Sequence, residues 1–500
     1  MQSHPRIVLG PIIGSVTDTT ARVGIELQYY NEISCFLTSP DGKQFVCRRY
    51  PEREFLTIFK FSGLQPKTTY VVSLEHCAPL NSQFRTLRSN DDQPGNLNVA
   101  IISCNEVTKA REKTPNQDLW ADLSKRARQL DYILHIGDQC YMDMGDESTE
   151  QTPYQLCKKK FNLLPQNQWK TIIPEIIDIM RTHYRRTWSH PPTAAVLANV
   201  PNLMTLDDHE IRDDWGWRPE DWDPNTTKCD YLFGQLARQT YYEYQRQLRE
   251  DIDWNNLAGL EREYHDHILH GVGIVFLDYR GSRSWFREEK VEELQLGVKQ
   301  TNWVKSLFSP EGKFKDLSSV LFISPIPVVY LSHHLTRATT IAIDDAQEHW
   351  TYQNKEELAN VFDTLREWKH AKIGREVTLI GGDVHIGLHS EIYYNNQLVF
   401  KQFVTSAMNN TVPNRVEYVV VSVGLHLSGD LTHGYSFRHS ELVRKNNYGL
   451  LKVEDHEGRS YVETILVEST PTGVKMEDSP TSNWDKKKPI LLCCTTCNMF

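Results

Sequence analysis

The sequence lacks any long hydrophobic run. No stretch of its 500 residues approaches the roughly 18 consecutive apolar residues that a membrane-spanning helix requires. The N-terminus, Met1 to Arg6, lacks the pattern of a secretory signal, and the apolar stretch 7–13 is interrupted by Gly10 and Pro11. We therefore expect a protein that stays in the cytoplasm and has no membrane-spanning helix.

The chain also lacks an excess of positive charge and a disulfide pattern. Its formal net charge is −10, so it offers no basic face of the kind that nucleic-acid binding requires, and no nucleic-acid partner is expected. Seven of the ten cysteines are scattered singly between Cys35 and Cys229. Without a signal peptide they are expected to be reduced thiols. The 39% hydrophobic content is enough for packed cores and argues against wholesale disorder.

Short alternating stretches characterise the first part of the chain. Apolar and polar residues alternate in four of them: 16–26, 46–50, 55–61 and 70–74. Short strands at intervals of about ten residues are typical of a small antiparallel sandwich of the immunoglobulin or fibronectin type. We assign residues 1–92 to this all-β domain and expect the polar segment 89–95 to be a linker.

From residue 97 onward, short apolar runs alternate with stretches of helical spacing. The helical stretches are 117–129, 231–249 and 291–307. Short apolar runs with helices between them are typical of the buried strands of an α/β fold. We assign 97–425 to the main α/β domain, 426–469 to its C-terminal extension and 470–500 to a flexible tether.

Five of the apolar runs are followed at once by residues that can bind metals or anions. The five segments are Ser103-Cys104-Asn105, Gly137-Asp138-Gln139-Cys140-Tyr141, Asp207-Asp208-His209-Glu210, Asp278-Tyr279-Arg280 and Gly382-Asp383-Val384-His385. Ligands of α/β folds gather outside the carboxyl ends of the strands. We therefore expect all five segments on one side of a single sheet, where they would form a metal site with a cationic contact.

Two of these segments have the spacing of metal ligands. Asp138 and Tyr141 are hard oxygen donors three residues apart, suited to a strongly Lewis-acidic cation. A Gly-Asp turn beside a packed tyrosine would give the same pattern. Asp383 and His385 would face one side of an extended strand and could chelate an ion. The alternative is an aspartate cap beside a surface histidine.

The remaining segments leave similar alternatives open. A cation would relieve the repulsion between the carboxylates of the acidic cluster 207–210. The same cluster could also be the first turn of a solvated helix. Cys104 follows a buried strand, where a thiol is more often inert than a ligand. Arg280 and Arg283 match phosphate oxygens, unless Arg280 pairs with Asp278. Together the segments predict two or three cations facing an oxyanion, the arrangement for hydrolysis at phosphorus.

These segments, in this order, resemble the PhoD-like alkaline phosphatase/phosphodiesterase family of the metallophosphoesterases. The resemblance covers residues 6 to about 410 and includes the segments 10–23, 296–303 and 402–406. It implies a metallophosphoesterase-type β-sandwich core flanked by helices and preceded by the small all-β domain. It also implies hydrolysis of phosphomonoesters or phosphodiesters, with a metal-bound hydroxide as the nucleophile.

The resemblance implies the metal ligands residue by residue. Iron(III) would be held by four residues: Cys104, Asp138, Tyr141 and His385. Asp138 would bridge to a second cation held with Asp208 and Asp383. That second cation is expected to be calcium, or magnesium, manganese or zinc, because calcium is scarce in the cytosol.

The resemblance also implies the residues that contact the substrate. His209 would contact the phosphate or protonate the leaving oxygen, and Arg280 would stabilise the phosphoryl charge. Arg283 and Asn105 would complete the phosphate site. The alternative is a catalytically weak, membrane-tethered protein that uses the same fold to bind phosphate or another protein.

The last residues have the composition of a lipidation signal. Cys497-Asn498-Met499-Phe500 fits a C-a-a-X box whose terminal Phe favours geranylgeranylation, although Asn498 is not aliphatic. Cys493 and Cys494 are candidates for palmitoylation, and Lys486 to Lys488 for contact with anionic headgroups. Two such signals would anchor the protein on the cytosolic face of a membrane. The alternatives are a frayed terminus and a metal-binding cysteine cluster.

Overall fold

The computed structural model describes residues 5–29, 31–52, 54–89, 97–144, 151–216, 218–257, 263–283, 294–333, 349–350, 353–413 and 429–477. Within these ranges no helix is long and apolar enough to cross a membrane. The predicted lipid-bearing residues Cys493, Cys494 and Cys497 lie outside the described residues, as does most of the predicted linker.

The N-terminal domain is a sandwich of seven strands. They are β1 (Arg6–Val16), β2 (Thr20–Gln28), β3 (Ile33–Thr38), β4 (Gln44–Arg49), β5 (Thr57–Ser62), β6 (Thr69–Leu74) and β7 (Gln83–Arg85). One sheet has the order β1-β2-β5 and the other β4-β3-β6-β7, and all pairs are antiparallel. Alternate residues of a strand share one face, so Cys35 and Leu37 of β3 are both fully buried.

The rest of the chain contains fourteen described strands and eight described α-helices. The strands are β8 (Leu97–Ile102), β9 (Tyr132–His135), β10 (Asn202–Met204), β11 (His265–Leu269), β12 (Val272–Phe276), β13 (Ser319–Ile323), β14 (Glu376–Gly381), β15 (Gly387–Tyr394), β16 (Gln397–Val404), β17 (Gly429–Asp430), β18 (Tyr435–Val443), β19 (Asn447–His456), β20 (Arg459–Thr470) and β21 (Gly473–Glu477). The helices are α1 (Val107–Arg111), α2 (Leu119–Arg126), α3 (Pro153–Asn162), α4 (Ile173–Trp188), α5 (Pro191–Leu197), α6 (Asp230–Tyr244), α7 (Gly297–Phe308) and α8 (Lys355–His370).

These strands form two sheets rather than the single sheet that the residue pattern predicts. One has the order β10-β9-β8-β19-β20-β21 and the other β11-β12-β13-β14-β16-β15-β18-β17. The five predicted strand ends are therefore divided, three in the first sheet and two in the second. The expectation of one sheet was wrong, because the residues that follow a strand do not determine which strands pair with it. The β-sandwich implied by the family resemblance is confirmed.

The two sheets pack face to face, and helices cover their outer faces. Residues of alternate position, such as Val99 and Ile101 of β8 or Ile274 and Phe276 of β12, belong to one buried cluster. The intervening residues of the first sheet pack against α2, and those of the second sheet pack against α7 and α8. Strands buried on both faces read as continuous apolar runs, which explains the pattern seen in the sequence.

The C-terminal strands complete the sandwich. β19 pairs antiparallel with β8, with Gly449 opposite Ile101, and β20 and β21 extend the same sheet. The predicted tether therefore begins too early. β20 continues to Thr470 and Gly473–Glu477 forms β21, because the alternation of this segment fits the edge of a sheet.

Candidate metal centre

Loops that follow strands of both sheets meet at Asp138. The Sγ of Cys104, after β8, lies 3.5 Å from Asp138 Oδ2. The hydroxyl of Tyr141 donates a hydrogen bond of 3.1 Å to the same oxygen. His385, after β14, places its Nε2 3.5 Å from the Tyr141 hydroxyl. The four residues expected to bind iron thus come together from three loops.

Asp138 also belongs to a cluster of carboxylates. One oxygen each of Asp138, Asp207, Asp208 and Asp383 lie within 4.8 Å of one another, and a second group joins Asp138, Asp208 and His209. Like charges in a buried site repel unless a cation or a proton compensates them. Carboxylate oxygens suit a hard cation, and Cys104, Tyr141 and His385 beside Asp138 offer a second donor set. The residues therefore fit the metals that the family implies.

The pKa values show how strongly the centre disfavours uncompensated negative charge. Burial and the neighbouring Asp383 raise the pKa of the Cys104 thiol to about 12. Burial also raises the pKa values of Asp138 and Tyr141 well above their usual values, with nearby anionic groups contributing. Burial and His209 lower the pKa of His385 to about 4, which favours the neutral imidazole that a metal requires.

The backbone is strained at four of the six predicted metal ligands. Cys104, Asp138, Asp383 and His385 have φ angles of 55°, 57°, 67° and 53°. Residues with a Cβ avoid this left-handed region, at a cost of roughly 1–2 kcal/mol each. Such strain persists where the surroundings over-determine it and clusters at functional sites.

Gly137 and Glu210 hold the Asp138 loop in place. A Cβ on Gly137, whose φ is 107°, would lie 2.5 Å from the Asp207 Cβ, so only glycine permits this approach. The fully buried Glu210 carboxylate accepts the N–H groups of Asp138, Gln139 and Asp207 at 3.1, 2.6 and 3.0 Å. Glu210 therefore ties the loop after β9 to the loop after β10.

His209 stands beside the cluster in a fixed orientation. Its Nδ1 lies 2.8 Å from Asp143 Oδ1, and its ring packs on Tyr141 with a centroid distance of 4.2 Å. Burial disfavours its charge, but the carboxylates of Asp208, Asp143 and Asp138 outweigh burial and hold its pKa well above the usual value. His209 can therefore present an N–H at Nε2.

Comparison with known proteins identifies the family of the chain. The family model for PhoD-like phosphatases matches residues 99–461. The chain belongs to the PhoD-like phosphatase family. This family is metal-dependent, and the chain is a phosphoesterase enzyme.

The solved structure of PhoD shares the fold of this PhoD-like phosphatase. It aligns with a TM-score of 0.64 and 14% sequence identity over 96% of this chain and 93% of that chain. β-Glucuronidase 3 of Bacteroides uniformis aligns with a TM-score of 0.20 and 8% identity, over 93% of this chain and 63% of that one. A TM-score this low carries no information about the fold or function. No curated protein matches the chain.

Arg280 of this PhoD-like phosphatase contacts two carboxylates of the cluster. Its side chain is fully buried, and its Nε lies 2.5 Å from Asp207 Oδ1. Its Nη2 lies 3.3 Å from Asp208 Oδ1. The expected alternative, a side-chain pair with Asp278, is also wrong, because Asp278 accepts the backbone N–H of Arg280 at 3.0 Å. Arg280 thus acts here as a buried counter-charge for two aspartates.

The other predicted phosphate contacts are also engaged with protein. Asn105 Oδ1 accepts the N–H groups of Trp120 and Asn409, each at 2.9 Å, and its amide donates to the Gln139 carbonyl at 3.3 Å. These hydrogen bonds join Asn105 to the neighbouring loop after β9. Arg283 is fully buried and lies near Tyr279.

Sequence reasoning missed several members of the centre. Asp143 was not among the predicted residues, although it stands two residues after Tyr141. Asp207, Glu210 and Ser406 lie inside segments that the sequence analysis named, but none of them was given a role of its own. Ser406 comes two residues after β16, the same strand-end position as the motifs that were recognised. The extended strand predicted at Asp383 and His385 was wrong, since both residues adopt left-handed conformations in a bend.

Proposed function

We propose that this PhoD-like phosphatase hydrolyses phosphomonoesters or phosphodiesters at a centre that holds iron(III) and a second cation. The observation that carries the proposal is the position of Asp138, which contacts Cys104 and Tyr141 and also belongs to the carboxylate cluster that includes Asp383. Cys104, Tyr141 and His385 would complete the iron site on one side of it. A thiol, a phenol and an imidazole around a carboxylate are a donor set for a strongly Lewis-acidic ion.

The second cation would be held by Asp138, Asp208 and Asp383, with Asp207 close by. These donors are oxygens, which suit calcium, magnesium or manganese, and zinc is also compatible. When bound, the cations supply Lewis-acid activation of water and neutralise the charge of the phosphoryl group. The carboxylates themselves orient the ions and bring negative charge that keeps them in place.

The chain supplies a proton donor at the edge of the cluster. Asp143 binds Nδ1 of His209, and Nε2 of the ring lies 3.8 Å from the exposed carboxylate of Asp213. Burial disfavours the charged ring, but the nearby carboxylates outweigh burial and raise the pKa of His209. His209 is placed to donate a hydrogen bond to a phosphoryl oxygen or a proton to the leaving oxygen. Arg280 contacts Asp207 and Asp208 and orients their carboxylates.

The substrate class is tested by a profile of hydrolysis rates. We expect metal-loaded enzyme to hydrolyse an aryl phosphate monoester, an aryl phosphate diester, or both, and the ratio of the two rates names the class. Asp138→Asn should abolish the activity, whereas Asp178→Asn, a change on the exposed face of α4, should leave it intact. Equal rates in both variants would favour a binding protein with the same fold.

We also propose that the C-terminal cysteines anchor the enzyme to a membrane. The support is the spacing of Cys497 from the C-terminus, together with Cys493, Cys494 and the preceding lysines. Cys497→Ser should move the protein from the membrane fraction to the soluble fraction, and mass spectrometry of the C-terminal peptide should show the lipid. An anchored enzyme would have lipid phosphates within reach, but hydrolysis of soluble esters alone by the tailless protein would contradict a lipid substrate.

A further inference from the structure

A polar cleft lies between the N-terminal sandwich and the main domain. It has a volume of about 620 Å³. The N-terminal domain contributes the residues around Lys67 and the segment 83–88, and the main domain contributes 127–131, Asn199 and His270. This volume is in the range of pockets that hold small molecules.

The cleft lies at the opposite end of the strands from the metal centre. Asp131, which lines the cleft, directly precedes β9, whose other end leads to Asp138. The four residues of β9 alone rise by roughly 13 Å. A ligand in the cleft would therefore occupy a site separate from the catalytic centre.

Positive charge dominates the walls of the cleft. Lys67, Arg85, Arg88 and Arg128 line it, and among the described lining residues Asp131 is the one acidic residue. Asp131 already accepts the Asn98 N–H at 2.8 Å and lies 3.5 Å from His270 Nε2. This concentration of basic groups stands out in a chain whose formal net charge is −10.

Two of the guanidinium groups are available to a ligand. Arg85 Nε donates to the neutral Lys67 carbonyl at 3.2 Å, and Arg85 forms no ion pair within the described residues. Arg128 forms no ion pair with any carboxylate of the described ranges, and its side chain is exposed. An exposed guanidinium is normally solvated, but two of them, one from each domain, line the same cleft and can bind an anion together.

Direct contacts between the domains set the shape of the cleft. The Ser82 hydroxyl donates to the Ala198 carbonyl at 2.6 Å, and Asn199 Oδ1 accepts the Gln83 N–H at 3.1 Å. Asn199 Nδ2 also donates to the Asn81 carbonyl at 3.0 Å. The two walls are thus joined by specific hydrogen bonds, which preorganises the basic groups.

We propose that this cleft is a second ligand site, which binds a small anion carrying two or more phosphate groups. Planar guanidinium groups recognise phosphate oxygens through paired hydrogen bonds, and several basic groups on two walls match a ligand with more than one phosphate. The anion would contact both domains at once and stabilise their interface. This inference does not depend on the activity of the metal centre.

The test uses methylenediphosphonate, whose P–C bonds resist a phosphatase, and the full-length chain as purified. Calorimetric titration compares wild type with Arg85→Ala/Arg128→Ala and with Arg48→Ala/Arg438→Ala, a control that removes the same charge from exposed positions outside the cleft. We expect the first variant to bind at least about tenfold more weakly, because two charge-assisted contacts are lost. The control should bind like wild type.

Hydrogen exchange locates the ligand without any substitution. Protection of segments 83–88 and 127–131 on addition of the probe would support the site. Flotation with vesicles that carry a phosphatidylinositol bisphosphate distinguishes a lipid headgroup from a soluble anion as the ligand. Vesicle binding by wild type that is lost in Arg85→Ala/Arg128→Ala would assign a lipid headgroup. Absence of vesicle binding by wild type would assign a soluble anion. Equal affinity in all three proteins, or protection confined to residues near Asp138, would overturn the proposal.

Discussion

Asp143 accepts a hydrogen bond from Nδ1 of His209 at 2.8 Å, and both side chains are largely buried. This contact fixes the ring orientation and contributes to the raised pKa of His209. The same carboxylate accepts the backbone N–H of Asp213 at 2.6 Å. Asp143 is therefore itself held by the chain and can position the histidine.

We expect Asp143→Asn to lower kcat by about 10–100-fold, since an amide neither fixes the ring tautomer nor supports its charge. The measurement is the steady-state rate on an aryl phosphate, with the melting temperature as a check on folding. Asp178→Asn is the control, because its side chain is 68% exposed on α4 and does not contact the histidine. A kcat equal to that of wild type would show that Asp143 has no positioning role.

A second prediction concerns Ser406. Its hydroxyl accepts the His385 N–H at 3.0 Å and lies 3.1 Å from Cys104 Sγ, so one small side chain holds two candidate ligands from different loops. Ser406→Ala should weaken metal binding by about 10–100-fold, as expected for a residue that orients ligands. Metal content after dialysis against graded chelator concentrations measures the effect. Ser440→Ala, at an exposed hydroxyl on β18, should retain the wild-type metal content.

The pair of Arg280 and Asp207 gives a third prediction. Arg280→Met would leave Asp207 and Asp208 without their buried counter-charge. Removing one partner of a buried ion pair lowers stability by about 3–5 kcal/mol. The double variant Arg280→Met/Asp207→Asn should lose less stability than the sum of the losses in the two single variants, because both charges of the pair are removed together. Thermal unfolding of the four metal-free proteins measures this coupling, and strictly additive losses would contradict it.

Glu210 makes the stability of the metal-free enzyme depend on pH. Burial raises its pKa from 4.5 to about 7. A carboxyl whose pKa is raised by folding stabilises the folded state below its ordinary pKa and loses that contribution as the pH rises through the raised value. We therefore expect the chelator-treated protein to lose up to about 3 kcal/mol of stability between pH 4.5 and about pH 7.

Melting temperatures of the chelator-treated protein across that range measure the loss. Bound metal should reduce it, since a cation compensates the ionised cluster around Asp138. Glu210→Gln should flatten the pH dependence of the metal-free protein. A melting temperature that rises steadily with pH in the metal-free wild type would contradict the assignment.

The sequence was most informative about which residues stand at strand ends. The runs before Cys104, Asp138 and Asp208 are strands of the structure, and their polar successors do meet. These positions were predictable because a strand buried on both faces appears in the sequence as a short apolar run, and the residues that leave the strand follow that run directly.

The pairing of distant residues was not predictable in this way. Local sequence suggested Asp278 as the partner of Arg280, but the guanidinium reaches Asp207, 73 residues away in sequence. The division of the strands into two sheets is likewise decided by long-range packing. We expected Asp383 and His385 to face one side of an extended strand, as residues two apart do. Both residues instead have left-handed backbone conformations in a loop, so the alternation of a strand does not apply to their side chains.

Metal reconstitution of the activity tests the central claim most directly. The chelator-treated enzyme is titrated with iron and a divalent cation while hydrolysis of an aryl phosphate is followed, in wild type and in Asp138→Asn. Because Asp138 contacts Cys104 and Tyr141 and also belongs to the carboxylate cluster with Asp383, we predict that wild-type activity returns only when both kinds of cation are bound. We also predict that the variant recovers none. Full activity in the metal-free enzyme, or wild-type recovery in Asp138→Asn, would contradict the account.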